Sequence, residues 1–167
     1  MSAMLSAHDL GHMQCQQHAH DIRNHFDILA LHKNDRLKHY GLHFSKYVGR
    51  LARGHAESKP VERTVVDTLL IALSAANALH QDLRRANLSL CGVNADRFRT
   101  FADAAGRFAD ACEKIDHMEE FLPIAKTANI DILAWILAMA QESDLDLTEA
   151  AAERRKELSE RPFYIQE

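Results

Sequence analysis

Glycine and proline are scarce in this 167-residue chain, at six and three residues, and no run of alternating β-branched residues appears between them. Strands and tight hairpins therefore have neither the pattern nor the turn residues they need, and the composition is that of an all-α protein. Cysteine is also rare: Cys15, Cys91 and Cys112 are odd in number and have no Cys-x-x-Cys spacing, so free thiols in a reducing compartment are expected instead of a disulfide frame. Positive charge is not in excess, since the formal net charge is −4, and nucleic acid is not an expected partner. The start, Met1-Ser2-Ala3-Met4-Leu5, lacks a basic leader, and no stretch of about 18 uninterrupted apolar residues offers a bilayer span. A soluble, cytoplasmic protein without a membrane partner is the expectation. No Gly-x-Gly-x-x-Gly or Walker-type loop and no Cys–His pair in persuasive context occurs, so dinucleotide folds and thiol nucleophiles find no support.

What the chain does have is one stretch around which the rest is organised, Asn129-Ile130-Asp131-Ile132-Leu133-Ala134-Trp135-Ile136-Leu137-Ala138-Met139-Ala140. From Ile130 onward only Asp131 is polar, so a helix here is apolar all round and belongs inside a core. A carboxylate on such a helix needs a cation, hydrogen-bond donors or a metal to offset its desolvation. Trp135 reads as core.

The other helices follow from their stripes and stop signals. Asn34 or Asp35 caps a helix with Leu37, Tyr40, Phe44, Tyr47, Val48 and Leu51 inward, ending at Gly54. Pro60 opens the next, with Val65, Val66, Leu69, Leu70, Leu73, Ala76 and Leu79 buried and an end near Leu83. Asn94 caps a helix from Ala95 to about His117 with Phe98, Phe101, Ala105, Phe108 and Cys112 inward. Pro123 opens the central helix, and Asp146 with Glu149 caps a last one to about Glu160. Residues 1–33 form a His-rich segment of one or two weakly specified helices.

Within residues 34–167 the chain repeats itself, as 34–93 and 94–167. Lys46-Tyr47-Val48-Gly49-Arg50-Leu51-Ala52-Arg53 matches Asp103-Ala104-Ala105-Gly106-Arg107-Phe108-Ala109-Asp110 through Gly-Arg-apolar-Ala. Val66-Asp67-Thr68-Leu69 then matches Ile130-Asp131-Ile132-Leu133, and in the same register Asp82-Leu83 meets Asp146-Leu147. Two related helical hairpins around a pseudo-twofold axis are predicted, with the solitary Asp present in each.

At these residues the chain resembles the MazG-like, all-α nucleoside triphosphate pyrophosphohydrolases. Gly106 with Phe108-Ala109, Asp131 with the apolar run to Leu137, and Asp144-Leu145-Asp146-Leu147-Thr148-Glu149-Ala150 stand where that family has its Gly, its metal-binding Asp and its closing turn. Gly49 and Asp67 carry the likeness into the first half. The resemblance implies a nucleotide as partner and Mg²⁺ held by Asp131 and Asp67; Arg107, Arg50 and Lys46 are the candidates to face the substrate's phosphates, and a homodimer is the expected assembly.

The family's other carboxylates are missing. Its first motif reads Ala104 and Arg107 here, or Tyr47 and Arg50, and the partner of each Asp is Ala128 or Thr64. Replacing a metal ligand by arginine predicts Arg107–Asp131 and Arg50–Asp67 pairs where Mg²⁺ would sit. Two functions of different class therefore stand: a nucleotide pyrophosphohydrolase, or a non-catalytic helical module, nucleotide-binding or protein-interacting, with a degenerate metal site.

Three weaker patterns complete the reading. His8-Asp9 and His20-Asp21 resemble the His-Asp pair of HD-type phosphohydrolases without that family's context, and a polar helix turn explains them as well. His39 and His43, one helical turn apart, suit a transition metal or a groove lining. Lys46, Arg50 and Arg53 form either a phosphate-meeting strip or a solvated face.

Overall fold

A computed structural model describes residues 5–88 and 96–161. Among these, seven α-helices occur and no strand: α1 (Ala7–Asn24), α2 (Phe26–Leu29), α3 (Lys33–Arg53), α4 (Val61–Ala78), α5 (Arg97–Asp116), α6 (Leu122–Glu142) and α7 (Leu147–Ser159). Single 3-10 turns cover Gly54–Ala56 and Leu83–Arg85. The all-α expectation is met.

Helices α3 to α6 form a four-helix bundle in which α3 packs on α4 and α5, while α6 packs on α5 and α4. Phe44 meets Phe108 edge to face at 5.0 Å between ring centroids, the Cys112 thiol donates to the Leu37 carbonyl, and Lys38 pairs with Asp116. Numbers rise along α3 as they fall along α5, so the two run antiparallel. Burial forces the Cys112 thiol pKa up to about 11, which leaves it an inert packing group.

Helix α6 has the length and composition of a membrane span. Yet its Ala128, Ile132, Leu133, Trp135 and Ile136 are fully enclosed by the bundle, as in the core helix of a soluble protein. Trp135 stacks on Phe101 at 4.3 Å, so the indole belongs to the core as predicted. Asn129, also enclosed, donates to the Ala72 carbonyl and to Gln81, tying α6 to α4.

The repeat has a structural counterpart in the way its hairpins end. Helix α4 stops at His80, φ 53°, with Gln81 N–H donating to the Ala76 carbonyl; α6 stops at Asp144, φ 52°, with Leu145 N–H donating to the Ala140 carbonyl. Both are left-handed C-terminal caps at matching positions of the repeat. Each is followed by an Asp that accepts from the next backbone N–H groups, Asp82 from Arg84 and Asp146 from Thr148 and Glu149, and then by a buried leucine, Leu83 or Leu147.

Several boundaries differ from the sequence expectation for local reasons. Helix α4 ends before Leu83, because the left-handed His80 turns the chain and Leu83 is buried from a 3-10 turn. Asp96, not Asn94, caps α5 by accepting from Arg99 N–H; Asn94, Cys91 and Gly92 lie outside the described residues. Phe98, expected inward, is 42% exposed, since it lies in the first turn of α5 to one side of the stripe led by Phe101. Residues before α3 are integral to the fold: Leu10 and Met13 of α1 are buried in the same core as the bundle, and α1 packs on α4.

Trp135→Ala should lower unfolding stability by about 3–5 kcal/mol in a urea titration, the cost of a large cavity between α5 and α6.

Candidate functional site

Both predicted carboxylates carry arginine. Arg50 Nη1 lies 2.8 Å from Asp67 Oδ2, and Arg107 Nη2 lies 2.8 Å from Asp131 Oδ2. In each hairpin the Gly-Arg of the first helix reaches the solitary Asp of the second, so the two repeats present the same pair in the same place.

Their surroundings differ. Asp67 is buried, and its second oxygen, Oδ1, accepts from Arg154 Nε at 2.7 Å, a residue of α7, which packs over α4. Arg154 in turn reaches Glu157, which also takes Arg63. The three charged side chains at the centre are each no more than 10% exposed. Every oxygen of the carboxylate is thus matched by a guanidinium donor in a dry site, the condition under which a buried ion pair is tolerated.

Asp131 was expected deep in the core and is not. Its side chain is 43% exposed and that of Arg107 37%, with Asp103 at 2.9 Å on the other side of the guanidinium. Among the described residues no α7-like helix covers this pair. Helix α6 is buried along most of its circumference, but at Asp131 one edge meets solvent beside α5.

Magnesium requires several hard oxygen ligands. Around Asp67 the partners are Arg50 and Arg154, around Asp131 it is Arg107, and among the described residues no three His, Cys, Asp or Glu side chains gather into a metal-holding group. The donor set at either position does not fit the dication. Glu113 and Glu119, between the Gly-Arg and Asp motifs of the second repeat, face their own helix end, pairing with His117 and Lys114.

The basic strip is largely committed. Arg53 is held by Glu57 and Arg50 by Asp67, while the exposed Lys46 rests over the Tyr47 ring and donates to His43 Nδ1 at 3.0 Å. Tyr47 also contacts that nitrogen, at 3.2 Å. His39 and His43 do meet, edge to face at 4.7 Å between centroids, but His43 is held as a neutral base: burial first, then Lys46, bring its pKa down to about 4.

In the N-terminal segment Asp9 closes a capping box with Ser6, the plain structural role of a polar helix turn. Asp21 is buried and accepts from Ser74 at 2.6 Å and Gln17 at 2.8 Å, pinning α1 to α4. Burial raises its pKa. Arg154 was missed by the sequence reading. Its signal was nonetheless there, because Leu147, Ala151 and Arg154 share one face of α7 and the first two are apolar.

No family model matches the chain, and no curated protein or solved structure matches it. The site stands on its own geometry.

Three outcomes follow. Asp67→Asn leaves two desolvated guanidinium groups facing a neutral amide and should cost about 3–5 kcal/mol in chemical denaturation. Asp131→Asn, at the wet pair, should cost less than about 1 kcal/mol. For His43 the folded pKa lies below its ordinary 6.5, so the neutral ring favours the folded state. That contribution is fully present above 6.5 and is lost as pH falls toward about 4; His43→Gln should flatten the pH dependence of the denaturation midpoint in that window.

Proposed function

We propose that the chain is a non-catalytic helical interaction module of MazG-like design, in which arginines stand where the enzymes of that family hold their metal. One observation carries the reading: the solitary Asp of each hairpin is bonded to the Arg of the Gly-Arg motif, and the buried one to a second Arg as well. Asp67, with both oxygens engaged, offers none to a dication, and Asp131, held through Oδ2, offers Oδ1 alone, too few for a magnesium site; a pyrophosphohydrolase without its metal ligands has nothing to bridge a triphosphate or to activate water. The same bonds take Arg50 and Arg107 away from the role of phosphate contacts. What is left to the molecule is a stable helical surface.

The pairs also explain why such a module keeps charged residues at these positions. Removing Asp67 alone strands Arg50 and Arg154, and removing either arginine strands charge in its turn.

The test is an assay for pyrophosphate release from a panel of canonical and modified nucleoside triphosphates with Mg²⁺ or Mn²⁺, beside a Mg²⁺ titration calorimetry run. No release and no isotherm are expected. Release, or Mg²⁺ binding, that disappears in Asp131→Asn would overturn the reading and restore the enzyme.

A further inference from the structure

Beyond Leu10, Met13 and Gln14, the buried face of α1 is built of Gln17, His20 and Asp21, each no more than 5% exposed. Here α1 lies on α4 and beside α7, which packs on both. Asp21 has its partners, but the seam around it does not: Gln17 Oε1, His20 Nε2 and Arg155 Nη1 of α7 are all buried atoms with no hydrogen bond. A buried polar atom gives up its water and needs a partner in return, so three such atoms along one seam call for a ligand.

The chemistry of each atom is fixed by its neighbours. Asn24 Nδ2 donates to the His20 carbonyl and, at 3.1 Å, to His20 Nδ1, so that nitrogen is the acceptor of the ring and the proton sits on Nε2. The ring is neutral, since burial first, then His25, Arg155 and Arg23, bring its pKa down to about 4. Arg155 gives Nη2 to Gln16 Oε1 at 3.0 Å and makes no ion pair among the described residues. Burial lowers its pKa, as for a cation short of counter-charge. Gln16 and His20 are one turn apart on α1, so the guanidinium held by the first lies along the stripe of the second, and Gln17 is the next residue over. The seam thus offers two unpaired donors, one of them on a cation, and one unpaired acceptor.

We propose that Gln17, His20 and Arg155 bind a small oxyanion that keeps one hydroxyl, hydrogen carbonate or hydrogen phosphate, its negative oxygens accepting from Arg155 Nη1 and His20 Nε2 and its hydroxyl donating to Gln17 Oε1. Charge favours an anion over a metal ion: Arg155 and Arg23 act on this ring, and the protonated Nε2 has no lone pair to give. Asp21, whose charge reaches Arg155, has both oxygens taken by Ser74 and Gln17. Sulfate, which has no hydroxyl at neutral pH, leaves Gln17 Oε1 unpaired and is the poorer ligand. Gln16 is exposed, so the outer edge of the site opens to solvent beside Arg155. Occupancy ties α1 to α7 through the ligand and makes the seating of the N-terminal helix depend on anion concentration.

The site uses neither Asp67 nor Asp131, so it stands or falls apart from the proposed function. The full chain, labelled with ¹⁵N, is titrated near neutral pH with hydrogen carbonate, inorganic phosphate and sulfate at constant ionic strength, with chloride as the balancing ion, and the His20 imidazole and Arg155 guanidinium resonances are followed by NMR. Saturable shifts at both residues are expected with hydrogen carbonate or phosphate, with sulfate at least about tenfold weaker. Arg155→Met removes a cation that lacks a counter-charge, so in chloride alone this variant should unfold no earlier than the parent chain, while the anion dissociation constant rises at least about tenfold. His20→Phe, which keeps the ring and loses the donor, should weaken binding likewise. His20 and Arg155 signals that stay still in hydrogen carbonate and phosphate alike, as when water alone meets the three atoms, would overturn the proposal. So would sulfate binding as tightly as phosphate, or anion shifts that persist unchanged in Arg155→Met.

Discussion

The carboxylate of Asp67 is the point at which three helices are fastened. Arg50 comes to it from α3 and Arg154 from α7, and Asp67 itself belongs to α4. In a dry site the attraction is strong but the desolvation of three charges is large, so the arrangement survives only because every participating oxygen has its donor. This constraint sets the position of α7 relative to the first hairpin. It also makes the two halves of the molecule unequal, since nothing equivalent covers Arg107 and Asp131 among the described residues. The internal symmetry is thus one of hairpins and their end caps, and it breaks where the last helix chooses one side.

The helices were legible because their signals are local. The stripe Leu37, Tyr40, Phe44 and Tyr47 is buried as its period demands, and the apolar all-round α6 does lie in the core. The repeat was readable from Gly-Arg and Asp-Leu, and the caps at His80 and Asp144 give it a conformational meaning that composition cannot carry. What sequence could not supply was the side of each helix that meets water. Asp131 looked central on a helix apolar all round, yet a bundle of four helices leaves each helix one edge, and Asp131 is on it. Phe98 erred in the same way, in a first turn outside the stripe.

The site was half legible for a related reason. Arg50–Asp67 and Arg107–Asp131 join residues whose pairing the repeat itself suggests, because the same Gly-Arg and the same Asp recur in step. Arg154 had no such counterpart. It lies far along the chain from Asp67, and only the packing of α7 over α4 brings them together, although an arginine in line with Leu147 and Ala151 marks a face that turns inward. The histidines illustrate the opposite limit: His39 and His43 share a face as predicted, but Lys46 and burial turn His43 into a neutral acceptor, an outcome set by neighbours and not by spacing.

The docking of α1 on α4 bears on the order in which the chain leaves the ribosome. Helix α4 is apolar on several sides and must meet α3, α1, α6 and α7 to be covered. Two of those neighbours are synthesised before it, so as α4 emerges it can fold at once onto α1, through Ser74 and Asp21, and onto α3, through Asp67 and Arg50. Only the flanks awaiting α6 and α7 stay wet during elongation, and they are closed when the second hairpin and the last helix arrive. The histidine-rich N-terminal helix thereby acts as a built-in cover for a nascent core, which gives that segment a physical task independent of any ligand.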